Sequence, residues 1–197
     1  MAARIVVTEF VSLDGVMQAP GGEDFKYEGW SFDFDRGTDG GEFKTQEIYD
    51  SEAQLLGRVT YDSFANAWPK YEKEGGEIKE FAKYFNEMKH YVVSSTLKDP
   101  EWQNTEVIDG SGDVPAAIRK LKEDVKGQIL VSGSRTLVQT LLEHDLVDRI
   151  RLMVFPTVLG TGDRVFDEYS NRTDWELDEA KPVGSEGVLT LDYRRKR

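Results

Sequence analysis

The chain has 197 residues, no cysteine and a formal charge of −12, with a pI near 4.7. That length predicts one unit over residues 1–197, large enough to bury about 70% of its unfolded surface without covalent staples. The composition excludes disulfide and thiolate chemistry, and so acidic a surface repels nucleic acid.

The basic run Arg194–Arg197 is short and terminal and reads as a solvated tail. The apolar run Ile5–Val7 is shorter than a signal-peptide core. No stretch reaches the ~20 apolar residues of a membrane span. These features predict a soluble cytoplasmic protein with neither nucleic-acid nor membrane partners.

Ile5–Val11 is β-branched and mostly apolar and reads as a largely buried first strand, ended by Ser12-Leu13-Asp14-Gly15. From Val16 to Gly41 there is no regular period, but Phe25, Tyr27, Trp30, Phe32 and Phe34 fall here. Loops this long inside a domain are often functional. The rings either form a lid over the core or line a pocket for a flat ligand.

The pattern next predicts a helix over 42–52, a strand over 53–56 and a helix over 60–67, stopped by Trp68-Pro69. A charged loop over 70–76, a helix over 78–88 and strands over 91–94 and 105–108 follow. Asp113 and Pro115 open a helix running to about Lys122, as cap and first-turn proline. Gln128–Ser132 is a strand, a helix runs from Ser134 or Thr136 to His144, and Leu146–Val154 is a long strand. Runs 173–181 and 187–194 read as a closing antiparallel pair around Val183-Gly184. This alternation predicts a three-layer α/β fold. Its mixed, mostly parallel sheet has helices on both faces and an antiparallel C-terminal hairpin.

Three strand-to-helix ends share a chemistry. Leu55-Leu56-Gly57-Arg58-Val59-Thr60 is an apolar strand end, a glycine turn, a cation and a hydroxyl. Val92-Val93-Ser94-Ser95 and Leu130–Thr136, containing Ser132-Gly133-Ser134-Arg135, repeat the theme. Small residues let a backbone approach a ligand, and a helix start offers free N–H groups to an anion. Each end taken alone also reads as a plain turn. Together, with Arg58 and Arg135 retained in so acidic a chain, they point to a phosphorylated ligand. None matches the G-x-G-x-x-G or P-loop fingerprints. His90 and His144 lie in no ligand-spaced cluster and read as structural, so no metal is expected.

These motifs, with Phe155–Gly162 and Val165-Phe166, resemble the dihydrofolate reductase-like superfamily. The resemblance is to its bacterial branch related to the C-terminal reductase domain of riboflavin biosynthesis proteins, and it spans almost the whole chain. It implies an NADPH site. Gly57, Arg58 and Thr60 match the turn and helix start that hold cofactor phosphates. Ser94 and Ser95 match a pair beside the adenosine ribose, and Gly133 and Ser134 the turn under the pyrophosphate and nicotinamide. Arg135, with Thr136 next to it, matches an arginine that helps hold the 2′-phosphate. Two arginines and a serine favour NADPH over NADH, because the extra phosphate needs donors.

There are departures. The carboxylate that fixes the pterin in dihydrofolate reductase falls by spacing on Gly41, with Glu42 adjacent. Arg135 stands where the pyrimidine reductases often carry an acid, and no zinc deaminase region precedes the motifs. The expected activity is an NADPH-dependent reductase acting on a pterin- or pyrimidine-like heteroaromatic other than dihydrofolate. Its counterparts are dihydrofolate reductase and 5-amino-6-(5-phosphoribosylamino)uracil reductase. Asp14 and Glu42 are the candidate catalytic carboxylates, Asp14 reading equally as a turn residue. Trp30, Phe155 and Pro156 are candidate substrate contacts. The alternative is a nucleotide-binding sensor without turnover. The resemblance also implies a homodimer, paired through apolar edges at Leu146–Val154 and Val188–Tyr193.

Overall fold

The computed structural model describes residues 2–21, 24–76, 78–166 and 172–196. Arg197, the last residue of the basic run, lies outside them. The elements in chain order are β1 (Arg4–Ser12), a 3-10 turn (Trp30–Asp33), α1 (Gly37–Tyr49), β2 (Ala53–Gly57), α2 (Arg58–Glu74) and α3 (Lys79–Glu87). They continue as β3 (Lys89–Ser94), β4 (Thr105–Asp109), α4 (Val114–Asp124), β5 (Gln128–Ser132) and α5 (Arg135–Glu143), and close with β6 (Arg149–Phe155), β7 (Trp175–Val183) and β8 (Val188–Arg195).

The sheet order is β4-β3-β2-β5-β1-β6-β8-β7. The first six strands of the chain pair in parallel, and β6–β8 and β8–β7 are antiparallel. This is the mixed, mostly parallel α/β sheet that the alternation predicts.

The central strands β1, β2 and β5 are largely apolar on both faces because helices cover both. Ile5, Val7, Leu55, Ile129 and Val131 pack under Ile118 and Leu121 of α4 and Leu137 and Leu141 of α5. Val6, Leu56, Val92 and Leu130 face Ile48 of α1, Tyr61 of α2 and Phe85 of α3. Burying one such side chain contributes about 1.5–3 kcal/mol, so these two layers hold the strand ends in register.

The connections β1→β2 and β2→β3 run one way along the sheet, and β4→β5 and β5→β6 run back. The direction therefore switches between β2 and β5. In open α/β sheets such a switch point leaves a crevice at the carboxyl ends of the strands.

Two helix boundaries differ most from expectation. α1 starts at Gly37 rather than residue 42, although Gly37, Gly40 and Gly41 are poor helix formers. The β7–β8 turn holds this start in place: a Cβ on Gly184 would come within 2.2 Å of the Asp35 carbonyl. α2 runs through Pro69 to Glu74 instead of stopping at Trp68. An interior proline costs about 3 kcal/mol, and the Trp68 ring, packed on Phe64, Phe81 and Phe85, offsets it.

The aromatic loop supplies a third core. Trp30 is buried with Phe155, Met153, Val183 and Val188, and Phe10, Phe25, Phe34 and Phe43 pack around them. Most of its rings form a lid over β6 and β8, while Phe32 is exposed.

The expected apolar edges are absent. β6 lies between β1 and β8, and β8 between β6 and β7. The edge at this end of the sheet is β7, which is acidic, exposed along most of its length, bulged between Leu177 and Glu179, and carries Pro182. Those are the features that block edge-to-edge pairing. Among the described residues, no helix is long and apolar enough to cross a membrane.

Candidate functional site

β3, β2 and β5 are consecutive in the sheet, so the three strand-to-helix ends sit side by side. Two of them touch. The Ser134 hydroxyl accepts from the Gly57 amide at 2.8 Å and donates to Thr60 Oγ1 at 2.8 Å. The approach requires both glycines. A Cβ on Gly57 would lie 3.2 Å from Ser134 Cβ, and one on Gly133 would lie 3.1 Å from Thr60 Oγ1. Gly133 has φ +64°, and Ser134 follows in the left-handed region at φ +67°, a conformation that costs a non-glycine residue energy.

Because the Ser134 hydroxyl is turned across the crevice, it does not cap its own helix. Neither α2 nor α5 has a side-chain cap, whereas Asp113 caps α4 by accepting from Ala116 N–H at 3.0 Å. Two sets of helix N-terminal amides therefore open on the switch point, an arrangement suited to phosphate groups.

At the β3 end, Ser94 is buried. Its hydroxyl accepts from the Thr96 and Leu97 amides at 3.2 and 3.0 Å, so it shapes the loop rather than facing a ligand. Ser95 is exposed. Arg58 donates from Nε to both Asp62 oxygens at 2.8 Å and reaches Thr96 Oγ1 at 3.4 Å. Arg135 turns the other way, with Nε 3.6 Å from Asp163 in the loop after β6. The two arginines thus face opposite flanks instead of converging on one phosphate. Thr136 is exposed in the first turn of α5.

The carboxylates sort differently from expectation. Asp14 accepts from Ser12 Oγ at 2.7 Å and from the Leu159 and Gly160 amides at 3.1 and 2.9 Å, and it pairs with Arg164 at 3.4 Å. The Ser12 hydroxyl and these amides hold its carboxyl down at about 2. It is an ionised latch joining the loop after β1 to the loop after β6, and near neutrality it has no proton to give. Glu42 is exposed on α1, and the buried acid of that helix is Glu47. Glu47 accepts from Thr8 Oγ1 and pairs with Lys44 and Arg151.

The residue that sequence reasoning missed is Glu9, on β1. It is 5% exposed, and its Oε1 has no hydrogen-bond partner. Burial pushes its carboxyl up to about 8, with Glu47 adding to the rise, against the opposing pull of Lys44 and the Gly133 amide. A charged residue inside an otherwise apolar strand was the available signal. Buried acids with displaced pKa values concentrate at functional sites.

Trp30 and Phe155 lie behind the site rather than in it. Trp30 is 3% exposed and donates to the Gln18 carbonyl at 2.8 Å, and Phe155 is fully buried. Pro156 is exposed beside Gly187. His90 is a buried core ring 3.7 Å from Trp102, with its nitrogens on the Phe85 and Gln103 carbonyls. A cleft of about 800 Å³ runs from Arg58 along α2 to Trp102 and Gln103. It shares only the Arg58 corner with the crevice.

The sheet order and C-terminal hairpin define a dihydrofolate reductase-like α/β protein. The chain belongs to the RibD C-terminal domain family, which matches residues 3–189. It is 28% identical over 190 residues to the uncharacterized protein YyaP of Bacillus subtilis (strain 168), covering 96% of this chain and 94% of that one. A putative riboflavin biosynthesis protein from Shewanella sp. PV-4 has the same fold, with a TM-score of 0.74 and 20% identity over 100% of both chains. So does dihydrofolate reductase from Enterococcus faecalis complexed with NADP(H) and RAB-propyl, with a TM-score of 0.61, 14% identity and 100% of both chains covered.

Proposed function

We propose that this protein is a cytoplasmic NADPH-dependent reductase acting on a small heteroaromatic substrate of the pterin or pyrimidine type. The observation that carries the proposal is the Ser134 link, which holds two uncapped helix starts together across the switch point. The family membership and the NADP(H) complex of the Enterococcus faecalis reductase support the same reading.

The residues fit such a cofactor. The open amides after Gly57 and Gly133 suit its pyrophosphate, and Thr60, Ser134 and Thr136 complete the polar wall. Arg58, Ser95 and Thr96 supply donors for the 2′-phosphate, with Ser94 fixing their loop. Arg135 marks the opposite flank. The cofactor supplies the hydride, and the protein supplies orientation and electrostatics. Glu9 replaces Asp14 and Glu42 as the proton-holding group, since its carboxyl stays protonated near neutral pH.

The test is anaerobic mixing with NADPH and a panel of pterins, pyrimidinones and quinones, following loss of reduced-nicotinamide absorbance. Oxidation with at least one heteroaromatic is expected. Tight NADPH binding with no oxidation of any compound would favour a sensor without turnover.

A further inference from the structure

Glu9 and Gly133 stand one step beyond the last β1–β5 pair, Thr8 with Ser132. Val7 and Val11, on either side of Glu9 in β1, belong to the apolar cluster under α4 and α5. Alternate residues of a strand share a face, so Glu9 points the same way. Met17, Leu137, Leu152 and Val165 of that cluster lie on this face. One carboxyl oxygen, Oε1, is buried without a hydrogen-bond partner, and the carboxyl meets the Gly133 amide. An unpaired buried polar atom destabilises a fold, so a carboxyl kept here points to a role outside stability.

The charged groups around Glu9 are already committed to one another. Lys44 of α1 is the cation that acts on it, but Lys44 pairs with Glu47 and donates to Thr8 Oγ1 at 2.6 Å. Glu47 itself opposes ionisation of Glu9. Arg151 of β6 pairs with Glu47 and Asp192. On the α5 side Arg135 pairs with Asp163, and in the covering loops Arg164 pairs with Asp14. The carboxyl therefore stays protonated near neutrality.

The turn above Glu9 has no room to retreat from it. A Cβ on Gly133 would lie 3.1 Å from Thr60 Oγ1, and Ser134 is tied to the Gly57 amide at 2.8 Å. A negative charge on Glu9 is thus held against the start of α5, where the free amides favour an anion. An ionised Glu9 and a phosphate at that helix start repel each other across a poorly screened interior.

We propose that Glu9 couples nucleotide binding to proton uptake: its neutral carboxyl leaves the Gly133 turn open to a phosphate, and its carboxylate closes it. This deepens the reductase reading and rests on its cofactor site. Linkage makes the effect reciprocal, so a bound nucleotide tightens the hold of Glu9 on its proton.

The test is calorimetric titration of the full chain with NADPH between about pH 7 and about pH 9.5, above the second ionisation of a phosphate monoester at about 6. Each pH is run in two buffers of unlike ionisation enthalpy, which counts the protons taken up. Wild-type affinity is expected to fall by about tenfold across this range, with uptake approaching about one proton per NADPH at its upper end. Glu9→Gln should hold its affinity within about twofold over the same range and take up no proton. Glu9→Leu, which suits the apolar face, replaces it if Glu9→Gln does not fold. A Glu9 that serves only the fold would change the melting temperature without changing the proton count. NADPH binding in wild type with flat affinity and no uptake overturns the coupling and leaves the reductase reading standing. Persistence of the slope and the uptake in a folded variant overturns the assignment to Glu9. Absence of NADPH binding at every pH overturns the cofactor site and the coupling together.

Discussion

Ser134 Oγ and the Gly57 amide, 77 residues apart in sequence, are 2.8 Å apart in space. That contact joins the turns after β2 and β5 into one floor. Ser134→Ala leaves the Gly57 N–H without its partner, which costs about 1–3 kcal/mol. For a chain of this size that lowers the melting temperature by roughly 2–4 °C per kcal/mol. Thermal melts with and without NADPH read both effects, and we expect weakened NADPH stabilisation as well as a lower baseline.

Arg58 is 40% exposed and shared between Asp62 and Thr96, so it is free to exchange a carboxylate for a phosphate. Arg58→Gln should weaken NADPH by about 10–100-fold, the worth of one charge-assisted hydrogen bond. NADH should change little. Direct titration of both nucleotides decides it, and equal losses would remove Arg58 from the 2′-phosphate.

Glu9 makes stability depend on pH. Its folded value is raised to about 8 from 4.5. The folded state therefore holds a proton that the unfolded chain has released, and stability falls as pH rises from 4.5 toward 8. The loss at pH 7 is on the order of 3 kcal/mol, at about 1.4 kcal/mol per pH unit. Glu9→Gln, which stays neutral, should flatten this slope and exceed wild-type stability at about pH 8. Urea midpoints across that range measure it. A wild-type profile that is flat between the two values would contradict the protonated Glu9.

Phe155 tests wall against core. It is fully buried and touches Phe10, Trp30 and Phe34 edge-on or tilted. Phe155→Ala should cost about 3–5 kcal/mol in denaturant unfolding. Pro156→Ala, at an exposed position, should change stability by less than about 0.5 kcal/mol.

Local chemistry made much of this legible. Gln128–Ser132 is a strand with the expected bounds, and Asp113 caps α4 as its position before Pro115 predicts. The three ends around Gly57, Ser94 and Gly133 were visible because glycine and hydroxyl residues at strand exits have a local meaning. What was hidden is decided by distant partners. Pro69 reads as a stop until Phe81 and Phe85 pack on Trp68. Ser94 reads as a ligand hydroxyl until the Thr96 and Leu97 amides claim it. Glu9 stands out as an acid in a mostly apolar strand, but nothing nearby in sequence shows what covers it.

The insertion of β5 between β2 and β1 sets the order in which the molecule can mature. As the chain emerges from the ribosome, Gly57 and Arg58 appear long before Ser134. The gap between β1 and β2 is filled only when residues 128–132 arrive. Pairings of such long sequence separation form slowly. On the proposed function, the crevice that takes the cofactor is therefore incomplete in a nascent or C-terminally truncated chain that has made only its first four strands. If the proposed cofactor site is right, a nucleotide-analogue resin is expected to retain only molecules in which the central strand is seated, and so to separate finished protein from arrested intermediates.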